Sequence, residues 1–368
     1  MAREPGERHD PSIDPKQVTA FGPGRVNLIG EHTDYNQGLA LPFAIAAGVS
    51  VHATAAVPGT PAAERIEAHA RDLREHDEFP LARPAPAAGW RAFVRGVVAE
   101  LTRAGHPLAG ARLEISGDVP QGAGLSSSAA LEVALCLALL ALSGGDGAGW
   151  TGRDRLDLAR LCSRVESEWV GARTGLLDQI ASLYGAPDTA LRIDFRTLEI
   201  APVPLRLRDG WRLVTLDSGE SHANASSSYN ERRAECAEAS DLLGIQSLRE
   251  ASAEDLGRLP QPLSLRARHV LDENIRVDAT VAALRGGDLP AVGALLNASH
   301  ASLRDRFEVS SPAVEAAVTE LLAAGAAGAR IVGGGFGGHV LGLLPPGARA
   351  PTGAREVRPG PGAHLLER

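Results

Sequence analysis

Three stretches of the chain combine residue types that can do chemistry. In DVPQGAGLSSSAA, residues 118–130, Gly122 and Gly124 precede Leu125 and then Ser126, Ser127 and Ser128, at the start of a long apolar helical run. Glycines let backbone N–H groups approach phosphate oxygens, and a helix N-terminus adds partial positive charge and unpaired donors. The serines alone would equally suit an ordinary capped helix; the strand-like ARLEIS before them and the buried helix behind favour a nucleotide phosphate. In GRVNLIGEHTDYNQG, residues 24–38, Arg25, Glu31, His32 and Asp34 share one glycine-punctuated loop. Short carboxylates beside a histidine suit the paired hydroxyls of a sugar, although a charged loop taken alone is usually just solvated. In LLDQIASLYG, Asp178 stands in an otherwise apolar segment. A carboxylate buried there needs a partner or a proton-transfer role, unless it is a helix N-cap. Glu166 reads two ways, as a metal carboxylate or as one more exposed helix charge.

A fourth stretch, RIVGGGFGGHVLGLL (330–344), contains a complete GxGxxG at Gly333, Gly335 and Gly338. A dinucleotide fingerprint needs a helix after the glycines and an acidic residue about 20 positions on, at a further strand. Only a Pro/Gly-rich tail comes after it here, so a nicotinamide-dependent dehydrogenase lacks room.

The elements that must position these residues can be sketched from pattern. VTAF and LALPFAI read as strands flanking the charged loop, and ARLEISGDVP as a strand leading into the serine loop and its helix. Residues 57–88, rich in Ala, Pro and Arg, read as irregular surface. Residues 152–169 have helical spacing, and helical patterns dominate from Tyr229 until the chain returns to strand at the glycine stretch. At 368 residues the chain favours two domains. The expected partition is a disordered lead-in over 1–17, a first domain over 18–205 and a second over 206–368.

Composition narrows the function. A net charge of −8 and 4% aromatic residues argue against nucleic acid. Lys16 is the only lysine, which excludes a P-loop lysine and a protein-kinase lysine. Cys136, Cys162 and Cys236 are far apart and form no zinc pattern. No apolar run is long enough to span a membrane, and the polar N-terminus has no secretory h-region, so a cytoplasmic protein is expected.

Together the motifs resemble the galactokinases of the GHMP small-molecule kinase superfamily. GRVNLIGEHTDYNQG is similar to their sugar signature and PQGAGLSSSAALEVA to the superfamily's ATP loop. GLLDQIASLYG, HANASSSYNERRAEC, RHVLDENIRV and GGGFGGHV come in the family's order, so the resemblance spans residues 18–340. It implies an α+β, two-domain GHMP kinase fold: an N-terminal α/β domain like ribosomal S5 domain 2, a C-terminal ferredoxin-like domain, and an active site between them. It implies ATP-dependent phosphorylation of the C1 hydroxyl of α-D-galactose, with Mg²⁺, by a monomer that takes small-molecule substrates.

Carried over by position, Glu31, His32 and Asp34 hold sugar hydroxyls, and Gly175 and Tyr229 complete that pocket. Asp178 faces the C1 hydroxyl with Arg25 as its partner near the transferred phosphate. Gly122, Gly124, Leu125, Ser126, Ser127 and Ser128 cradle ATP, with Ser127 and Glu166 as magnesium ligands. The glycine stretch becomes a tight strand-to-strand turn against the ATP loop. His339, where the family often has a small residue or cysteine, reads as a strand residue. The tail after residue 344 is only loosely like the family's last strand, which puts a final hairpin in doubt. Two alternatives share these residues: an N-acetylgalactosamine kinase, and a non-catalytic sensor of galactose and ATP.

Overall fold

The computed structural model describes residues 15–119, 124–144, 152–172, 174–220 and 225–366, the side chains of 225–227 excepted. Most of the expected lead-in, and Gly122 of the serine loop, lie outside the described residues. The first half contains β1 (Gln17–Asn27), β2 (Leu39–Ala40), β3 (Pro42–Ala55), β4 (Arg65–Ala70), β5 (Glu75–Pro80), α1 (Trp90–Arg103), β6 (Ala111–Gly117), α2 (Ser127–Leu142), α3 (Gly152–Arg164), α4 (Leu177–Tyr184), β7 (Thr189–Asp194) and β8 (Glu199–Pro204). The second half contains β9 (Arg212–Asp217), α5 (Ala225–Leu243), α6 (Leu263–Gly286), α7 (Leu289–Ser302), α8 (Pro312–Ala323), β10 (Gly328–Ile331), β11 (His339–Leu344), β12 (Arg355–Val357) and β13 (His364–Leu366).

Helix α2 is apolar on every side, with all but three of its residues buried between the first sheet and the helices outside it. A helix of that composition belongs in a core, and this one fixes the serine loop at its N-terminus to the centre of the first domain. The sheet beneath it runs β13-β1-β3-β6-β4-β5 and is antiparallel except at the β4/β6 pair. The stretch expected as irregular surface forms the β4–β5 hairpin instead. Its alternation is real but diluted by charge: Ile66, Ala68 and Phe79 are buried while Glu67 and Glu78 face out.

The second sheet, β10-β11-β9-β12, is wholly antiparallel. Numbered within the domain its order is 2-3-1-4, the strand order of a ferredoxin-like sheet. Helices α5, α6, α7 and α8 lie between the first strand of that sheet and the second. His339 opens β11 as a strand residue should. The tail supplies two short strands that part company: β12 closes the second sheet, and β13 returns to pair with β1 in the first. The expected boundary at 206 therefore does not hold every later residue in the second domain. A small third sheet, β2-β7-β8, completes the first half.

The two halves share a core. Leu28, Ile29, Leu39 and Leu41, which flank the charged loop, pack with Val277 and Val281 of α6, with Val332 just after β10 and with Leu341 of β11. Both ends of that loop are thereby gripped by apolar residues from the opposite half. No helix among the described residues is long and apolar enough to cross a membrane.

Candidate active site

A cavity of 370 Å³ opens where the two halves meet, lined by residues from all three chemistry-bearing stretches and from the glycine turn. At its centre are Arg25 and Asp178, 153 residues apart in sequence. The β1 register slips between Pro23 and Arg25, and Asp178 sits in the first turn of α4. Their side chains form a bidentate pair, Nε to Oδ1 at 2.7 Å and Nη2 to Oδ2 at 2.8 Å. The planar guanidinium matches a carboxylate in this way, fixing both. Arg25 also donates from Nη1 to the Gly124 carbonyl at 2.5 Å, and Ser126 donates to Asp178 Oδ2 at 2.6 Å. Burial disfavours the charged guanidinium, but the carboxylates of Asp178 and Glu31 outweigh it and hold the Arg25 pKa above the ordinary value.

The charged loop forms one end of the cavity. Glu31 is buried and tied to both halves: Oε1 accepts from the Gly333 N–H and lies 2.9 Å from Arg330 Nη2, while Oε2 accepts from Asn27 Nδ2. His32, left-handed at φ 60°, has Tyr35 Oη at 2.7 Å from Nδ1 and the Gly334 carbonyl at 3.2 Å from Nε2. The carbonyl can only accept, so Nε2 carries the proton and Nδ1 accepts from the tyrosine. Burial is the main cause that lowers the His32 pKa to about 3, keeping the ring neutral. Asp34 moves the other way, to about 6, chiefly by burial. Gly175 is there because nothing larger fits: a Cβ would stand 1.8 Å from Asp34 Oδ2. Tyr229 lines the cavity from α5 and lies 5.2 Å from the His32 ring.

The serine loop forms the other end. Ser126 adopts a left-handed φ of 62°, and no side chain caps α2. The hydroxyl that would ordinarily cap the helix is committed to Asp178, so the first amides of α2 remain available to an anion. Ser128 donates to Glu166 Oε1 at 2.8 Å, and Thr174 donates to Oε2. The serine resting on Glu166 is thus Ser128, and Ser126, Ser127 and Ser128 all line the cavity. Leu125 stands behind, its side chain buried in the shared core and its carbonyl accepting from the Arg25 N–H at 3.0 Å. Glu166 is not an exposed helix charge: it is buried, and its pKa is raised first by desolvation and then by Asp178.

The glycine turn closes the wall, with no helix after it. A Cβ at Gly333 would meet the Gly124 carbonyl at 3.4 Å, so the turn does pack against the serine loop, but Gly333 and Gly334 also bond to Glu31 and His32. At Gly335 the positive φ of 84° and Val309, 2.5 Å from a Cβ, admit glycine alone.

Sequence reasoning missed Thr174, Gln179 and Arg330. Gln179 Nε2 bridges Glu132 and Glu166 at 3.3 and 3.1 Å. Arg330 is fully buried and donates to the carbonyls of Asn27 and Leu28. A lone arginine inside the apolar strand GARIV was a readable signal.

The chain matches three family models: the galactokinase galactose-binding signature over residues 7–55, the GHMP kinases N terminal domain over 92–186 and the GHMP kinases C terminal domain over 280–361. A galactokinase of Mycobacterium tuberculosis (strain H37Rv) is 44% identical over 337 residues, covering 89% of both chains. One of Thermotoga petrophila is 41% identical over 327 residues, again 89% of both. The crystal structure of Lactococcus lactis galactokinase complexed with galactose superposes with a TM-score of 0.85 at 32% identity, covering 95% of each chain. A mevalonate kinase of Methanococcus jannaschii, at TM-score 0.62 and 16% identity over 95% of this chain and 99% of its own, shares the fold. An interdomain cavity built on the galactose-binding signature, within a GHMP kinase fold, and relatives this similar over nearly the whole length place the chain in one family: it belongs to the galactokinases.

Proposed function

We propose that this chain transfers the γ-phosphate of ATP to the C1 hydroxyl of α-D-galactose, giving galactose 1-phosphate and ADP. The observation that carries the reading is the Arg25–Asp178 pair, held between a loop of sugar-hydroxyl partners and an uncapped helix N-terminus. The sugar rests against Glu31, His32, Asp34, Gly175 and Tyr229, with C1 toward Asp178. The phosphates rest on the serine loop, where the backbone of Gly124 to Ser128 and the α2 dipole supply the donors that lysine supplies elsewhere.

In the transfer, the C1 oxygen forms a bond to the γ-phosphorus as the bond from that phosphorus to the bridging oxygen breaks, and ADP leaves with that electron pair. Such transition states are loose, so alignment and charge neutralisation do most of the work. Asp178 orients the hydroxyl and takes its proton late, while Arg25 fixes the carboxylate and offsets charge on the transferred group.

Mg²⁺ fits the residues present, since the donors near the serine loop are all hard oxygens: the Ser127 and Ser128 hydroxyls and the Glu166 carboxylate. Magnesium of this kind is held by one or two protein oxygens together with phosphate oxygens and water. When bound, Mg²⁺ would neutralise phosphate charge. The chain is further read as a cytoplasmic monomer. Coupled ADP release with galactose, N-acetylgalactosamine, glucose and arabinose tests the function. Galactose is expected to be strongly preferred; preference for N-acetylgalactosamine would move the substrate, and no release with any sugar would leave a sensor.

A further inference from the structure

The charged loop carries the sugar partners, yet the groups that fix its backbone lie about 240 residues away, on one helix of the opposite half. His269 Nε2 lies 3.1 Å from the Glu31 carbonyl and, since that oxygen can only accept, donates to it; Nδ1 faces the Ser302 hydroxyl at 2.9 Å. Glu273, fully buried, accepts from the Gly30 N–H at 3.0 Å and from the Ser299 hydroxyl at 2.7 Å, and pairs with Arg276. Asn274 accepts from the Leu39 N–H at 2.7 Å and from Arg249 at 2.9 Å. The spacing 269, 273, 274 puts the three on one side of α6, and they reach both ends of the loop. The approach is close: a Cβ at Gly38 would meet Asn274 Oδ1 at 2.7 Å. The same helix braces a sugar partner through tilted ring contacts, with the Phe307 ring centre 4.6 Å from that of His269 and 4.6 Å from that of His32.

We propose that His269, Glu273 and Asn274 are positioning residues which set sugar affinity by holding the loop backbone at Glu31, Gly30 and Leu39. None of the three lines the cavity, so they act through Glu31, His32 and Asp34. Misplacing those groups by a fraction of an ångström weakens a neutral polyhydroxyl ligand, whose binding depends on several aligned hydrogen bonds. The phosphate end is built on β1, α2 and α4, and the hydrogen bonds of His269, Glu273 and Asn274 go to the loop backbone and to their own half, not to it. The RHVLDEN stretch therefore supports the sugar site from outside the cavity. This inference rests on the sugar-kinase reading.

The test measures KM for galactose and for ATP in Asn274→Ala, Asn274→Asp and His269→Ala, with backbone amide hydrogen exchange at Gly30 and Leu39. Loss of one such bond is expected to raise the galactose KM about tenfold in Asn274→Ala and in His269→Ala while the ATP KM stays within about twofold. Asn274→Asp keeps an acceptor for the Leu39 N–H but loses the Nδ2 donation to the Val270 carbonyl, so it should recover part of the loss. Exchange at Leu39 should quicken in Asn274→Ala and return toward the parent rate in Asn274→Asp. Equal rises in both KM values, or unchanged exchange at these amides, would overturn the proposal. If His269→Ala does not fold, the Asn274 pair decides alone. If the parent protein phosphorylates no sugar, the function fails, while the exchange rates still judge the clamp.

Discussion

The two ends of the cavity are built on opposite plans. At the sugar end nearly every polar group is already committed: Glu31 to Gly333, Arg330 and Asn27, and His32 to Tyr35 and Gly334. At the phosphate end the helix cap is withheld, because Ser126 turns to Asp178 and α2 starts without a side-chain partner. The difference stems from the ligands. A neutral sugar gains little from long-range charge and needs donors and acceptors fixed in advance, at the cost of ordering them beforehand. A polyphosphate brings its own charge, so the protein serves it best by leaving amides free at a helix N-terminus. Asp178 and Arg25 stand at the seam, bonded to the serine loop on one side and open to the sugar on the other.

The largest expected effect comes from the seam. Asp178→Asn breaks the bidentate ion pair and removes the carboxylate that takes the C1 hydroxyl proton, so kcat should fall by about 10³-fold or more while ATP affinity changes little. Next is the sugar end: Gly175→Ala forces Asp34 aside, and the galactose KM should rise by about 10²-fold with the ATP KM nearly unchanged. Equal loss for both ligands would show that the ends are not separable. At the phosphate end, Ser128→Ala frees one oxygen of Glu166 and should raise the Mg²⁺ needed for half-maximal rate by about tenfold, leaving galactose binding intact.

The smallest effect is a pH dependence at the sugar end. Burial raises the Asp34 pKa to about 6 from 3.8, so the group is ionised at neutral pH and takes up its proton as pH falls through about 6. The folded state then binds that proton more tightly than the unfolded chain, and acidification in this window favours the fold at this residue while removing an acceptor from the sugar. Galactose KM should therefore rise by up to about tenfold between roughly pH 7 and pH 5, and Asp34→Asn should flatten the profile.

Much of the site was legible because its residues are concentrated in short stretches of unusual composition, and each such stretch reached the cavity. Asp178 is marked by its apolar neighbours, and the glycine turn differs from a dinucleotide fingerprint because a strand, β11, and not a helix, follows its glycines. The long-range contacts escaped. Arg330 meets Glu31 from the other end of the chain, and His269, Glu273 and Asn274 meet the sugar loop from a helix whose own pattern speaks only of packing. The β4–β5 hairpin was lost because small and charged residues blur its alternation, and β13 because so short a strand carries no period. That Ser128, and not Ser126 or Ser127, donates to Glu166 depends on helix rotation, which adjacent identical residues cannot reveal.

The most direct measurement is the regiochemistry of the product. Incubated with MgATP and galactose, the protein should yield a single species by ³¹P and ¹H NMR, galactose phosphorylated at C1 in the α configuration. Phosphate at another hydroxyl, or ATP hydrolysis without a sugar phosphate, would contradict the placement of C1 against Asp178.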